Sequence, residues 1–278
     1  MADIQTTNDY LDENTKTRRL GMYVYILPNL MTTGNLFCGF FSIIQSIMGN
    51  FKAAAIAIVV AAIFDQLDGR LARLTRATSK FGAEYDSLCD LGSFGFAPAL
   101  LMFMWCLGGF GRLGWMACFL FVACGALRLA RFNVQVNVVE KNYFQGLPIP
   151  MAAGIVASSY LAFEDMGWEP IAWRADLLLF MVMLLGIVMV STFRYRSFKD
   201  LDLKERLPFK YLILGVIVLF IVALRPEVML FVVFFGYAVL GAIFGVMRLG
   251  KRRKQIKASV YAPEITNEND LQEEAEEN

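Results

Sequence analysis

The chain contains no histidine among its 278 residues. That absence removes imidazole as a general base, as a metal ligand and as the middle member of a Ser-His-Asp triad. Charge is also sparse, at 18% of residues, where soluble domains carry about 25%. Cysteine is limited to Cys38, Cys89, Cys106, Cys118 and Cys124, all in or near apolar stretches. An odd number without paired spacing excludes a disulfide framework and reads as small hydrophobes packed among helices. The first residues show no secretory hydrophobic region, so no cleaved signal peptide is expected. No internal repeat is apparent. Net charge is only +1, so bulk charge gives no reason to expect a nucleic-acid partner.

What is present in excess is apolar surface. Hydrophobic residues make up 57% of the chain, above the roughly 45–50% of soluble domains. A bilayer core of about 30 Å needs about 20 mostly apolar residues per helix. Eight such segments are expected, at approximately 31–48, 53–75, 84–108, 113–133, 148–164, 176–193, 209–224 and 228–248. The fold class is therefore all-α, a polytopic membrane helix bundle. Residues 1–27 form an N-terminal segment, with Met22 to Leu27 at the interface. The membrane domain covers 28–250, and 251–278 are a basic then acidic tail. Glu264 to Asn278 holds seven acidic residues and no basic one, the composition of a solvated, disordered end.

Eight spans put both termini on one side. With that side cytoplasmic, 22 of the Lys and Arg residues fall inside and four outside. The four are Lys52, Arg112, Arg174 and Arg225. This is the asymmetry that the positive-inside rule requires.

Charges within a span cost at least about 2.5–3.5 kcal/mol each on insertion scales. They concentrate in FDQLDGRLARLTRATSKFGAEYDSLCDLG, residues 64–92. Asp65 and Asp68 are three apart and share a helix face, which Gly69, Ala72 and Arg73 continue. Asp86 and Asp90 are four apart on the next helix. The short connection near Thr78 to Gly82 makes the two helices antiparallel neighbours. Four carboxylates then converge near the cytoplasmic surface. Such a group repels itself unless neutralised, and Arg73 alone does not balance it. An oxygen-only donor set suits Mg²⁺, Mn²⁺ or Ca²⁺. A site open to two ions is similar to the two-metal clamps of phosphoryl transfer. Gly69 and Ala72 remove side-chain bulk where a phosphate-bearing ligand would approach. The plainer readings are a structural Asp–Arg pair and small residues at a helix contact.

These residues spell D65-x2-D68-G69-x2-A72-R73-x8-G82-x3-D86-x3-D90. The pattern resembles the signature of the CDP-alcohol phosphotransferase family. RLARFNVQ (128–135), YFQGLPIPMAAG (143–154) and LPNLMTTGNLFCGF (27–40) resemble its phosphatidylserine synthase branch. The resemblance implies attack of an alcohol on a CDP-linked lipid with loss of CMP, here CDP-diacylglycerol and L-serine. It implies two divalent ions, Mg²⁺ or Mn²⁺, on Asp65, Asp68, Asp86 and Asp90, with Asp90 also the general base. Gly69, Arg73 and Ser79 would contact the nucleotide and phosphates. Asn29, Thr32, Ala72 and Gly82 would complete the CDP-diacylglycerol site. It further implies an inner-membrane protein whose site faces the cytoplasm, and a homodimer.

The serine carboxylate calls for Arg or Lys. Arg128, Arg131 and Arg194 are the candidates, at the inner ends of the fourth and sixth spans, with Arg131 and Arg194 ranked first. The alternative there is topological charge or lipid headgroup contact. Other acceptors (glycerol phosphate, inositol phosphate or choline) and a metal-ion transporter are the competing functional readings. Transport would spread acids through the bilayer depth, whereas here they cluster in one helix pair.

Overall fold

The computed structural model describes residues 27–75, 79–135, 143–168, 172–191, 194–196 and 225–241. They form a helical bundle. Its helices are α1 (Leu27–Ile47), α2 (Phe51–Thr75), α3 (Lys80–Trp105), α4 (Arg112–Gln135), α5 (Ile149–Asp165), α6 (Ala172–Val190) and α7 (Pro226–Gly241). Among the described residues, α1, α3, α4 and α6 are long and apolar enough to cross a membrane. The expected span at 209–224 lies outside the described residues, as do residues 1–26 and the tail from 242 onward.

Local chemistry sets the helix ends. Pro28 stands in the first turn of α1, where a missing N–H costs nothing, so α1 starts at Leu27 rather than near 31. Gly49, at φ 79°, makes the turn into α2. α3 starts at Lys80, a turn before the expected 84. Ser79 caps it by accepting a hydrogen bond from the Gly82 N–H at 2.9 Å, as a serine N-cap does.

α3 is not a regular helix throughout. Residues Leu91–Phe96 form a π turn between two α-helical halves. Pro98 follows in the first turn of the second half. Proline has no N–H to give the carbonyl four residues back, and one wide turn absorbs the interruption.

α5 occupies the centre. Every residue from Ala152 to Ser159 is buried, and α2 packs along it. Its small side chains permit this, because Ala and Ser let neighbouring backbones approach. The Ser158 and Ser159 hydroxyls donate to the carbonyls of Gly154 at 2.6 Å and Val156 at 2.7 Å, so neither leaves an unmet donor in the core. α4 packs along α6. Phe94, Leu101, Met102, Phe121 and Met189 fill the core between helices. The bundle's outer faces carry Phe37, Phe40, Phe119, Trp173, Phe180 and Ile187, all exposed. Such a surface suits lipid and not water.

One element departs from the all-α expectation. Tyr143–Gln145 (β1) and Arg194–Arg196 (β2) pair antiparallel, with Phe144 opposite Tyr195. The ladder joins the segments that follow α4 and α6, and lets their backbone groups satisfy each other. It lies at the end of the bundle where α2, α4 and α6 finish and α3 begins. Ion pairs tie the opposite end: Lys52 with Glu164 and Arg225 with Asp165, each at 3.3 Å.

Candidate active site

α2 and α3 bring their acidic residues together at the end that carries the ladder. Carboxylate oxygens of Asp65, Asp68 and Asp86 lie within 4.8 Å of one another. Asp90, one turn further along α3, is 7% exposed and lies within electrostatic reach of Asp65. It stands outside the group of three. Two of the four expected ligands thus come from each helix, but three converge and the fourth is held slightly apart.

α1 supports this group from one side. The Thr32 hydroxyl shares its proton between Asp68 Oδ2 at 3.0 Å and the Pro28 carbonyl at 3.1 Å. Asn35 Nδ2 donates to Asp90 Oδ1 at 3.0 Å. The Ser93 hydroxyl, in the π turn, donates to the Asn35 carbonyl at 2.9 Å. Thr33 and Tyr85 hydroxyls are 3.0 Å apart. Thr32, Asn35 and Gly39 recur at spacings of three and four, one face of a helix. Gly39 is where α1 and α3 nearly touch: a Cβ there would stand 2.6 Å from Ser93 Cα.

The donor set suits a hard divalent cation. All three converging groups are carboxylates. Oxygens ligating one such ion at about 2.0–2.6 Å fall within the observed spacing. Asp86 Oδ1 is buried with no hydrogen-bond partner among the described residues, which for an ionised oxygen calls for a cation. Beside the group, a Cβ at Gly69 would meet nothing within 4 Å, leaving room for a ligand along α2.

The other expected contacts divide. Gly82 lies near Asn29, whose Oδ1 is 3.5 Å from a Cβ built on the glycine. Ser79 is engaged as the α3 cap. The side chains of Ala72, Arg73 and Arg194 lie outside those described. Arg128, on α4, is 8% exposed and feels the charge of Asp90. Its Nε is buried with no hydrogen-bond partner among the described residues. Arg131 reaches the end of α6, donating through Nη1 to the Val190 carbonyl at 3.0 Å and through Nη2 to the Ser191 carbonyl at 3.3 Å. These are carbonyls that a helix end leaves unmet.

Sequence reasoning passed over three polar residues. Asn35 was readable as an amide inside an apolar span, one turn after Thr32. Ser93 gave no signal, because only the π turn aims it at α1. Asn133 donates to Glu84 at 3.2 Å and to Ser87 at 3.1 Å, joining α4 to α3 beside the site.

The fold and the carboxylate group together define a helical protein with several membrane-length apolar helices and a cluster of aspartates at one end of its bundle that could hold a metal ion. The chain belongs to the CDP-alcohol phosphatidyltransferase family, whose model matches residues 25–193. It is similar to the CDP-diacylglycerol–serine O-phosphatidyltransferase of Helicobacter pylori, 41% identical over 226 residues, covering 81% of this chain and 91% of that one. The archaetidylserine synthase of Methanothermobacter thermautotrophicus is 44% identical over 137 residues, 49% of this chain and 58% of that one. The Saccharomyces cerevisiae CDP-diacylglycerol–serine O-phosphatidyltransferase is 38% identical over 169 residues, 56% of this chain and 59% of that one.

Proposed function

We propose that this protein transfers the phosphatidyl group of CDP-diacylglycerol to the hydroxyl of L-serine, giving phosphatidylserine and CMP. One observation carries the reading. The carboxylates of Asp65, Asp68 and Asp86 converge in a chain 41% identical, across 81% of its length, to a serine phosphatidyltransferase.

The residues divide the work. Asp65, Asp68 and Asp86 hold divalent ions, Mg²⁺ or Mn²⁺ and two by family resemblance. Bound there, the ions supply countercharge for the pyrophosphate and for the departing CMP. Asp90 takes the proton of the serine hydroxyl as its oxygen bonds to the lipid phosphorus and the bond to CMP breaks. Thr32 keeps the Asp68 carboxylate in place. Gly69 leaves the space in which the pyrophosphate lies, with Asn29, Gly82, Ala72, Arg73 and Ser79 along the nucleotide. Arg128 is the best placed cation for the serine carboxylate, since it is buried within electrostatic reach of Asp90. Arg131 is engaged with the end of α6 and stands behind it.

The wider reading includes eight spans, both termini in the cytoplasm, the inner membrane and a homodimer. The 22-to-4 distribution of basic residues supports the orientation. A soluble nucleotide and a lipid meet only at an interface, and the carboxylates stand at one end of the bundle. Domain limits of 28–250 for the membrane domain and 251–278 for the tail accompany it.

The deciding experiment gives purified protein Mn²⁺ or Mg²⁺, CDP-diacylglycerol and each alcohol in turn, with CMP release as the readout. Serine-dependent release is expected. Release with glycerol phosphate, inositol phosphate or choline but not serine would overturn the acceptor. Within the same assay, Arg128→Ala raises the serine KM more than Arg131→Ala does. The reverse order would return the carboxylate to Arg131.

A further inference from the structure

We propose that Asn35 is the positioning residue for Asp90, holding the carboxylate in the rotamer from which it takes the serine proton. The inference rests on the transferase reading with Asp90 as base, and adds a residue to it.

Asn35 is fully buried in the middle of an apolar helix. A primary amide there is costly unless its groups are bonded. Its Nδ2 donates to Asp90 Oδ1 at 3.0 Å, and its Oδ1 has no partner among the described residues. The amide therefore gains little from the bundle except through the aspartate. A donor on Oδ1 restrains the rotation of the carboxylate and leaves its second oxygen without a demand from α1. Asn35 is itself anchored at its backbone carbonyl by the Ser93 hydroxyl. Ser93 belongs to the π turn that starts directly after Asp90. Gly39, one turn beyond Asn35, lets α1 approach Ser93 closely enough for this clasp. The base is thus held from two directions, by its own helix and by α1.

The test uses the full-length protein in lipid vesicles, with CMP release followed while serine and CDP-diacylglycerol are varied separately. Asn35→Leu keeps the branched outline, with somewhat more bulk, and removes the donor. Losing a hydrogen bond to a charged acceptor lowers kcat by roughly ten- to a hundredfold, with the KM for CDP-diacylglycerol within about twofold of wild type. Asn35→Asp, which places a second carboxylate against Asp90, lowers kcat further. Where Asn35→Leu does not accumulate as folded protein, Asn35→Ser is read instead, because serine already occupies Ser42 and Ser46 in α1 and its hydroxyl is too short to reach Asp90. A normal kcat in Asn35→Leu or Asn35→Ser beside an inactive Asp90→Asn would overturn the positioning role and leave the base assignment standing. An active Asp90→Asn would overturn both. A raised KM for CDP-diacylglycerol with kcat unchanged would place Asn35 in substrate binding and also overturn the proposal.

Discussion

Gly39→Ala adds one methyl group at the contact that keeps α1 on α3. The added Cβ would stand 2.6 Å from Ser93 Cα and 2.7 Å from Ser93 Cβ. Carbon atoms in relaxed contact are about 3.5–4.0 Å apart, so the helices must separate by about 1 Å. Two of the neighbours are backbone and Cβ atoms, which have no rotamer to escape into. The Asn35–Asp90 hydrogen bond, 3.0 Å and likewise between α1 and α3, lies one turn away. An increase of that size takes it to about 4 Å, past hydrogen-bonding range. Overpacking of this kind destabilises by about 1–3 kcal/mol, enough to lower Tm by several degrees in a domain of this size. The effect on turnover is larger, because misplacing reacting groups by about 1 Å costs on the order of a hundredfold. The assay is CMP release at saturating serine and CDP-diacylglycerol, with thermal unfolding of the same preparation. Gly236→Ala in α7 is the control, since a Cβ there meets nothing within 4 Å; its rate and Tm stay at or above wild type. A Gly39→Ala protein with wild-type kcat would refute the idea that α1 sets the position of the carboxylates.

Three further outcomes are expected. Gly69→Leu fills the open space beside Asp68, so the KM for CDP-diacylglycerol rises about tenfold or more while Tm holds or increases, because leucine favours a helix over glycine by about 0.8 kcal/mol. Asp68→Asn removes one of the three converging carboxylates; the Mn²⁺ concentration for half-maximal rate rises by about tenfold or more, and chelation of the ion stops turnover in wild type and variant alike. Gly146→Ala places a Cβ at φ 78° within 3.0 Å of the Met189 carbonyl carbon and 3.1 Å of Arg131 Nη2, so it lowers stability by about 1–3 kcal/mol, measured as Tm, with a smaller effect on the CDP-diacylglycerol KM.

Much of this arrangement was readable before any coordinates. Among the described residues, α1, α3, α4 and α6 follow from hydropathy, because a bilayer forces every backbone group to be satisfied within its helix. The four aspartates stand out because charge in such segments is costly. Helix ends were less legible: Pro28 and Ser79 extend α1 and α3 beyond their apolar runs. The π turn had only Gly92, Gly95 and Pro98 as signals, and these also fit a simple kink. The β1–β2 ladder joins segments about fifty residues apart, and no local pattern announces it. Arg131 shows the limit for site residues. Its place at a span end suggested a ligand, whereas its guanidinium meets carbonyls contributed by a distant helix.

The π turn at Leu91–Phe96 has a consequence for how the family's sequences are aligned and engineered. A π turn accommodates one residue more than an α turn, and each residue of an α-helix advances about 100°. Everything beyond Phe96 is therefore rotated by about that angle from where an unbroken helix would place it. A one-residue deletion between Leu91 and Phe96 would not shorten a loop. It would turn the Ala97–Trp105 half of α3 away from its present partners while Asp86 and Asp90 kept theirs. A single-residue gap at this point in a relative accordingly marks a changed helix phase, and the half of α3 that bears the aspartates and the half that fills the core are free to diverge separately.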